Sequence, residues 1–266
     1  VSEGRYRTER EPTEEAHPML VRISVTALFV ILLAPGPGLA QELYDVVILG
    51  GRVMDPETGR DEIANIGILG ERIEAITTQE IRGRTTIDAS GQIVAPGFID
   101  ILASIGRNRE AHTFKIGDGV TTVLGMHGGP LDVERYVEEH TAVGPLANYA
   151  ATVSHAGLRE AVGATDRYAP ATPEQIEAMR PLAVRAIRDG AVGIGFGVNY
   201  TPGASYEEIF ALFEVAAAEG VPCHLHARYK GNVFPLTMSL AAMEVVAIAA
   251  ATGAQAQLAH LISSTG

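Results

Sequence analysis

The sequence predicts an α/β fold, a partial barrel of six parallel strands preceded by a small β-sandwich. Three observations carry this. From Tyr44 to Val94, short apolar runs alternate with turn residues. Pro96-Gly97 then marks a turn, and Phe98–Leu102 is an apolar run short enough for a buried strand. Beyond Asp100, strand-like runs alternate with helix-like ones as far as Gly266.

The first unit reads as strands Tyr44–Leu49, Arg52–Met54, Asn65–Leu69, Arg72–Ile76, Thr85–Ile87 and Gln92–Val94. Gly50-Gly51, Asp55-Pro56-Glu57-Thr58-Gly59, Gly70-Glu71 and Ser90-Gly91 turn between them. The later strands are Ile99–Ala103, Val120–Met126, Asn148–Val153, Ala191–Val198, Pro222–Ala227 and Ala254–Leu261. Thr172-Pro173-Glu174-Gln175 is a capping box with proline at the first helical position, and Gly190 follows that helix. Ser205-Tyr206-Glu207-Glu208 repeats the box and Gly220 closes it, which gives Glu207 and Glu208 a capping role. A further helix, from about Leu236 to Thr252, ends at Gly253. Strands alternating with helices make right-handed βαβ units and a parallel sheet.

A closed barrel of this kind has eight strands and about 250 residues. Residues 101–266 carry five strands after the first, so the barrel is expected to be incomplete, with open edges at its first and sixth strands. An open doubly wound sheet also accommodates six strands. No glycine-rich phosphate loop follows the first of them, and Gly193-x-Gly195-x-Gly197 is too tightly spaced for a dinucleotide fingerprint. The barrel is therefore preferred.

The 266 residues are 47% hydrophobic and 20% charged, enough to bury a large core. A net charge of −12 argues against nucleic acid or an anionic membrane as partner. The single cysteine, Cys223, rules out an intrachain disulfide and a thiolate zinc cluster. Met19–Ala40 reads as an export signal: Arg22, the apolar or small-residue run Ile23–Leu33, and Gly38-Leu39-Ala40 before Gln41. That run is short for a membrane span, which takes about 20 residues. Residues 1–18 read as upstream sequence or a disordered tail, 19–40 as the signal, 41–97 as the sandwich and 98–266 as the partial barrel. The expected product is exported, periplasmic or extracellular, with no stable membrane association once the signal is cleaved.

Ala95-Pro96-Gly97-Phe98-Ile99-Asp100 resembles the P-G-F-I-D strand that opens the (β/α)8, TIM-type barrel of the amidohydrolase superfamily. Gly119-Val120-Thr121-Thr122-Val123 is similar to that superfamily's second strand. Ser154-His155-Ala156-Gly157-Leu158-Arg159, Gly190-Ala191-Val192-Gly193 with Tyr200-Thr201-Pro202-Gly203, His226-Ala227-Arg228 and Ala259-His260-Leu261 resemble the N-acyl-D-amino-acid deacylase branch. One departure is plain. The superfamily follows its Asp with His-x-His, two metal ligands, and Leu102 and Ser104 stand in those places.

The resemblance implies a metal-dependent hydrolase of linear amide C–N bonds, acting on a small N-acyl amino acid. Its pattern puts metal ligands at His226 and His260, and a third falls on His127, where the branch has Cys or Glu. Imidazole does not bridge two metals as carboxylate does, so one zinc is expected. His155, Tyr200 and Arg228 are implied substrate contacts, His155 with the alternative of supporting the site and Arg228 because its fork matches a carboxylate. On the fifth strand, period-two alternation puts His224, His226 and Arg228 on one face and Cys223, Leu225 and Ala227 against the helices. His224 is expected to pack beneath the ligand, and His112 and His140, in charged surroundings, to be solvated. No residue matches the branch's general base, an Asp on an eighth strand, so this stretch alone is expected to be inactive. Two rivals stand beside this reading: a metal-free binding protein on the same fold, and a cyclic-amide hydrolase of the superfamily.

Overall fold

The computed structural model describes residues 43–103, 108–229 and 237–260. The tail, the export signal and Ser104 lie outside the described residues. The chain divides into two compact units, one of 43–52 with Glu62–Gln92 and one of Val53–Asp61 with the residues from Ile93 onward.

The first unit rests on the greater part of β1 (Leu43–Asp55) and of β2 (Arg60–Leu69), with β3 (Arg72–Thr77) and β4 (Arg82–Asp88), in the sheet order β3-β2-β1-β4. β1 spans both of its expected strands without a break. β1 and β4 run parallel, and β2 and β3 antiparallel. Tyr44, Val47 and Ile81 form its small core. Gly67 lies beneath the Tyr44 ring, where a Cβ would sit 2.8 Å from the ring carbons. Asp45 accepts from the Gly70 amide (2.8 Å) and from Arg84 (2.8 Å). Among the described residues these strands make one sheet and not two facing ones. Alternating apolar runs report the number of strands, whereas the number of layers is set by pairing at long range.

In the second unit β5 (Ile93–Val94) leads into β6 (Phe98–Asp100), α1 (Arg109–Gly117), β7 (Val120–Gly125), α2 (Val133–Ala142), β8 (Asn148–Ala151), β9 (Val153–Ser154) and α3 (His155–Ala161). α4 (Pro173–Arg188), β10 (Ile194–Gly197), α5 (Tyr206–Glu219), β11 (Cys223–His226), α6 (Met238–Thr252) and β12 (Ala256–Leu258) follow. β6-β7-β8 and β9-β10-β11-β12 are parallel sheets in chain order. They meet at Thr152, which breaks the third barrel strand. The Thr152 amide donates to the Gly125 carbonyl at 3.1 Å, while the next amide, Val153, donates to Gly193 at 2.9 Å.

The caps appear where the sequence puts them. Thr172 and Gln175 complete a reciprocal box at α4, Ser205 caps α5, and Gly220 and Gly253 end α5 and α6 in the left-handed conformation that glycine adopts without a Cβ clash. α1, α2 and α3 are short helices that the reading above left undefined.

Alternation then sorts the strand faces. Val153, Ile194, Phe196, Cys223 and Leu225 interlock with Leu158, Met179, Ala183, Leu212, Phe213 and Ala216 of α3, α4 and α5 in one core. Each fully buried side chain of the size of Leu, Ile or Phe contributes about 1.5–3 kcal/mol. Burial also pushes the Cys223 thiol far above its ordinary value, which leaves it an inert core group. The alternate residues, Gly195, Gly197, His224 and His226, face the other way. Among the described residues no helix is long and apolar enough to cross a membrane.

Candidate metal centre

Three imidazoles converge at the C-terminal ends of β7, β11 and β12. His127 follows β7, His226 ends β11 and His260 follows β12. Each offers a ring nitrogen, and the three nitrogens lie within 4.8 Å of one another. The His127 ring stands 5.0 Å from those of His226 and His260, which are 4.8 Å apart. Nitrogens of one tetrahedral zinc site, with Zn–N of about 2.0–2.1 Å, stand about 3.3 Å apart. Small side-chain rotations separate the two arrangements, so the residues fit a shared ion. His260 is, among the described residues, the non-glycine residue with positive φ, at 59°. Backbone strain of this kind persists where the surroundings over-determine it, and it gathers at functional sites.

His224 is 1% exposed and stands 5.0 Å from the His127 ring, outside the converging set. Burial lowers its pKa, a hydrogen bond to the Met126 backbone opposes this, and His260 lowers it further. It stays neutral beneath the ligands and adds no positive charge where a cation would sit.

Gly195 and Thr152 make room for the His127 loop and hold it; the sequence reading noted Gly195 only as part of a glycine pattern and did not mark Thr152. Gly195 pairs with His224 across β10 and β11. A Cβ there would lie 2.3 Å from Thr152 Oγ1, 2.4 Å from the Met126 carbonyl oxygen and 2.9 Å from the carbonyl carbon of His127. The Thr152 hydroxyl in turn donates to Met126 at 3.0 Å. The Gly-x-Gly-x-Gly pattern is thus a strand with one face left bare for its neighbours. Gly195→Ala is expected to push this loop away and weaken metal affinity by about fivefold or more, since overpacking costs about 1–3 kcal/mol. Chelator competition reads this directly, and unchanged affinity would show that Gly195 does not set the loop.

The remaining candidates fall differently. Tyr200 is 56% exposed, with its ring 5.1 Å from that of His226, at the rim of the centre. His155 is fully buried against Phe196 (5.2 Å) with its Nε2 on Glu208 at 2.6 Å, which leaves it the supporting role. Arg228 already holds a carboxylate: its Nε and Nη2 donate to Glu244 at 3.1 and 2.9 Å, and its Nη1 to the Pro202 carbonyl at 2.9 Å. The fork is engaged by α6 and by the loop behind Tyr200. Glu208 is corrected from its reading as a capping residue. Ser205 Oγ accepts its amide, but its carboxylate is buried on His155 and Arg159. His112 and His140 are buried, at 0% and 5% exposure, and not, as expected, open to bulk solvent.

The same fold recurs in known proteins. No protein-family model matches the chain. It is 33% identical over 250 residues to an N-acyl-D-glutamate deacylase of Alcaligenes xylosoxydans xylosoxydans, covering 83% of this chain and 50% of that one. The chain is a homologue of the amidohydrolase deacylases. A D-aminoacylase of the same organism is 34% identical over 220 residues, covering 71% of this chain and 45% of that one. Among solved structures, the Bordetella bronchiseptica N-acyl-D-glutamate deacylase, complexed with zinc and a phosphonate mimic of the tetrahedral intermediate, superposes with a TM-score of 0.71 at 31% identity. That match covers 81% of this chain and 51% of the other. A D-aminoacylase described as having a binuclear metal centre, with one-metal activation and second-metal attenuation, gives 0.67 at 28% identity over 80% of this chain and 50% of that one. The chain thus spans about half the length of these deacylases. An L-hydantoinase at 18% identity and a TM-score of 0.61, covering 81% of this chain and 52% of that one, shares the barrel fold.

By the resemblance given above, Leu102 and Ser104 stand where the superfamily has its His-x-His pair, and Ser104 lies outside the described residues. Leu102 forms an isolated bridge with Gly125, and its amide donates to Asp100 at 3.0 Å. Lys115 closes on the same carboxylate at 2.6 Å and, with that amide, holds the Asp100 pKa low. No Asp, Glu or Cys joins the histidine group among the described residues.

Proposed function

We propose that this chain carries the metal-holding strands of a zinc-dependent hydrolase of N-acyl-D-amino acids, with one zinc on His127, His226 and His260. The convergence of these imidazoles within 4.8 Å, in a fold shared with two deacylases, carries the reading. The count of one follows from Leu102, an alkyl side chain that cannot ligate, and from Ser104 at the second place. A related D-aminoacylase, whose centre is binuclear, is described as activated by one metal, which agrees with a single ion sufficing for activity.

Zinc held by His127, His226 and His260 would supply a Lewis acid, able to polarise an amide carbonyl and to lower the pKa of water toward about 7. The chain's own residues do the rest. Tyr200, at the rim, offers its hydroxyl to the carbonyl oxygen as that atom gains charge. Arg228, held by Glu244 and packed 5.3 Å from the Tyr206 ring, fixes Pro202 and so the loop that presents Tyr200. Neutral His224 keeps the floor uncharged. The resemblance assigns proton transfer to an aspartate of an eighth strand.

The test is binding of a phosphonate mimic of an N-acyl-D-amino acid by the zinc-loaded chain, followed calorimetrically. Zinc-dependent binding that prefers the D form and ignores cyclic amides is the expected result. Binding unchanged without zinc would favour a metal-free binding protein, and preference for a cyclic amide would favour the other rival. Tyr200→Phe is expected to weaken the mimic by about tenfold and leave zinc affinity unchanged, since one hydrogen bond to a charged group contributes about 1.5–3 kcal/mol.

We also propose that the protein is exported. Arg22, the apolar run after it and Gly38-Leu39-Ala40 support this. Sequencing the protein from the cell envelope should begin at Gln41; a soluble cytoplasmic product beginning at Val1 would refute export.

A further inference from the structure

We infer that a second polar site lies on the helix side of β7 and β8, where one internal water molecule bridges His112 of α1 and His140 of α2. A small cavity of about 40 Å³ opens there, lined by His112, His140, Tyr136, Tyr149 and the backbone of Gly128 and Gly129. A single water needs about 10–15 Å³. Nε2 of His112 and Nε2 of His140 are both buried and have no hydrogen-bond partner in the protein. Buried polar atoms are satisfied in the great majority of cases, because leaving one bare forfeits its hydration for nothing.

The partners of the other two ring nitrogens decide what fits. His140 Nδ1 lies 2.8 Å from the Tyr136 carbonyl oxygen. A carbonyl only accepts, so Nδ1 carries the proton and Nε2 of the neutral ring presents a bare lone pair. His112 Nδ1 faces the Ala147 amide at 3.4 Å. That amide only donates, so His112 Nδ1 is bare and its Nε2 carries the proton. The cavity is therefore lined by one donor and one acceptor. A water accepts from His112 and donates to His140, and so satisfies both. A metal ion does not fit, since it would need the lone pair that the His112 proton occupies.

The rings cannot turn away easily. His140 lies 3.9 Å from the Tyr136 ring and stacks on Tyr149 at 5.0 Å. The Tyr149 hydroxyl is engaged by the Val137 carbonyl (3.0 Å) and Thr141 (2.8 Å) and does not replace the water. Gly128 and Gly129 directly follow His127. The water thus ties α1 to α2 beside the loop that follows β7, which gives two otherwise unused buried histidines a shared structural role.

The test is magnetic resonance on the full chain with 15N-labelled histidine, together with three variants. His140 should carry its proton on Nδ1 and His112 on Nε2, with magnetisation passing from a long-lived water to the His112 Nε2 proton. His112→Leu and His140→Leu should each lower Tm by about 2–6 °C, because each leaves the other ring bare. The double variant should lose clearly less than the sum, since it leaves no polar atom unsatisfied. Two bare Nε2 atoms with a bound cation, no water transfer at His112, or strictly additive losses would overturn the inference.

Discussion

Glu208→Ala is expected to lower the melting temperature by about 10 °C or more, the largest stability loss of any single change considered. The carboxylate is fully buried and takes three hydrogen bonds, from His155 Nε2 (2.6 Å) and from Arg159 Nη1 to both oxygens (2.8 and 2.6 Å). Arg159 Nη2 goes to the carbonyls of Asp166 and Ala169 at 3.0 and 2.8 Å. Removing the anion strands a guanidinium with 3% of its side chain exposed, and breaking a buried pair in this way costs about 3–5 kcal/mol. In a chain of this size each kcal/mol is about 2–4 °C. Glu208→Gln, which keeps shape and one acceptor, should fall between wild type and alanine.

The same group makes a pH prediction. Burial raises the Glu208 pKa, but His155 and Arg159 outweigh it and hold the value below the ordinary 4.5. A carboxylate with a depressed folded pKa stabilises the fold above its unfolded value, and that contribution fades as pH falls toward the folded value. Wild type should therefore lose stability below about pH 4.5 more steeply than Glu208→Gln. A Tm for Glu208→Ala within about 2 °C of wild type would mean that the triad contributes nothing net.

The second large effect is on the metal. His226→Ala or His260→Ala should remove zinc from the purified protein, because two imidazoles hold it poorly. The loss should exceed the about 10–100-fold that follows when only an outer hydrogen-bond partner of a ligand is lost. His226 is 4% exposed and lies on the bare face of β11, so its removal opens the centre without disturbing the helix-side core. Zinc retained at full occupancy by either variant would remove that residue from the site.

The convergence of the three histidines was legible and much of its support was not. Period-two alternation on 223–227 separates His224 and His226 from Cys223 and Leu225, and the structure keeps that division. Arg228 lies just beyond the strand, where alternation no longer constrains it, and its fork goes to Glu244 of α6. Glu208 looked like a capping residue because Ser-x-x-Glu is the same string whether the carboxylate turns back or points inward. What turns it inward is His155, 53 positions earlier in the chain, and no local pattern carries that. His112 and His140 failed for a related reason. Each sits among charged neighbours, but a helix shows one face to the sheet, and on α1 that face is His112. Gly195 carried a readable signal, three glycines alternating along a strand, and its meaning needed the neighbouring loop.

The most direct measurement of the central claim is the zinc content of the purified, zinc-loaded chain and its His127→Ala, His226→Ala and His260→Ala variants, by elemental analysis after desalting. One zinc per chain in wild type, and none retained in any variant, is the predicted result. Two zincs per chain, or one zinc that survives all three replacements, would contradict it.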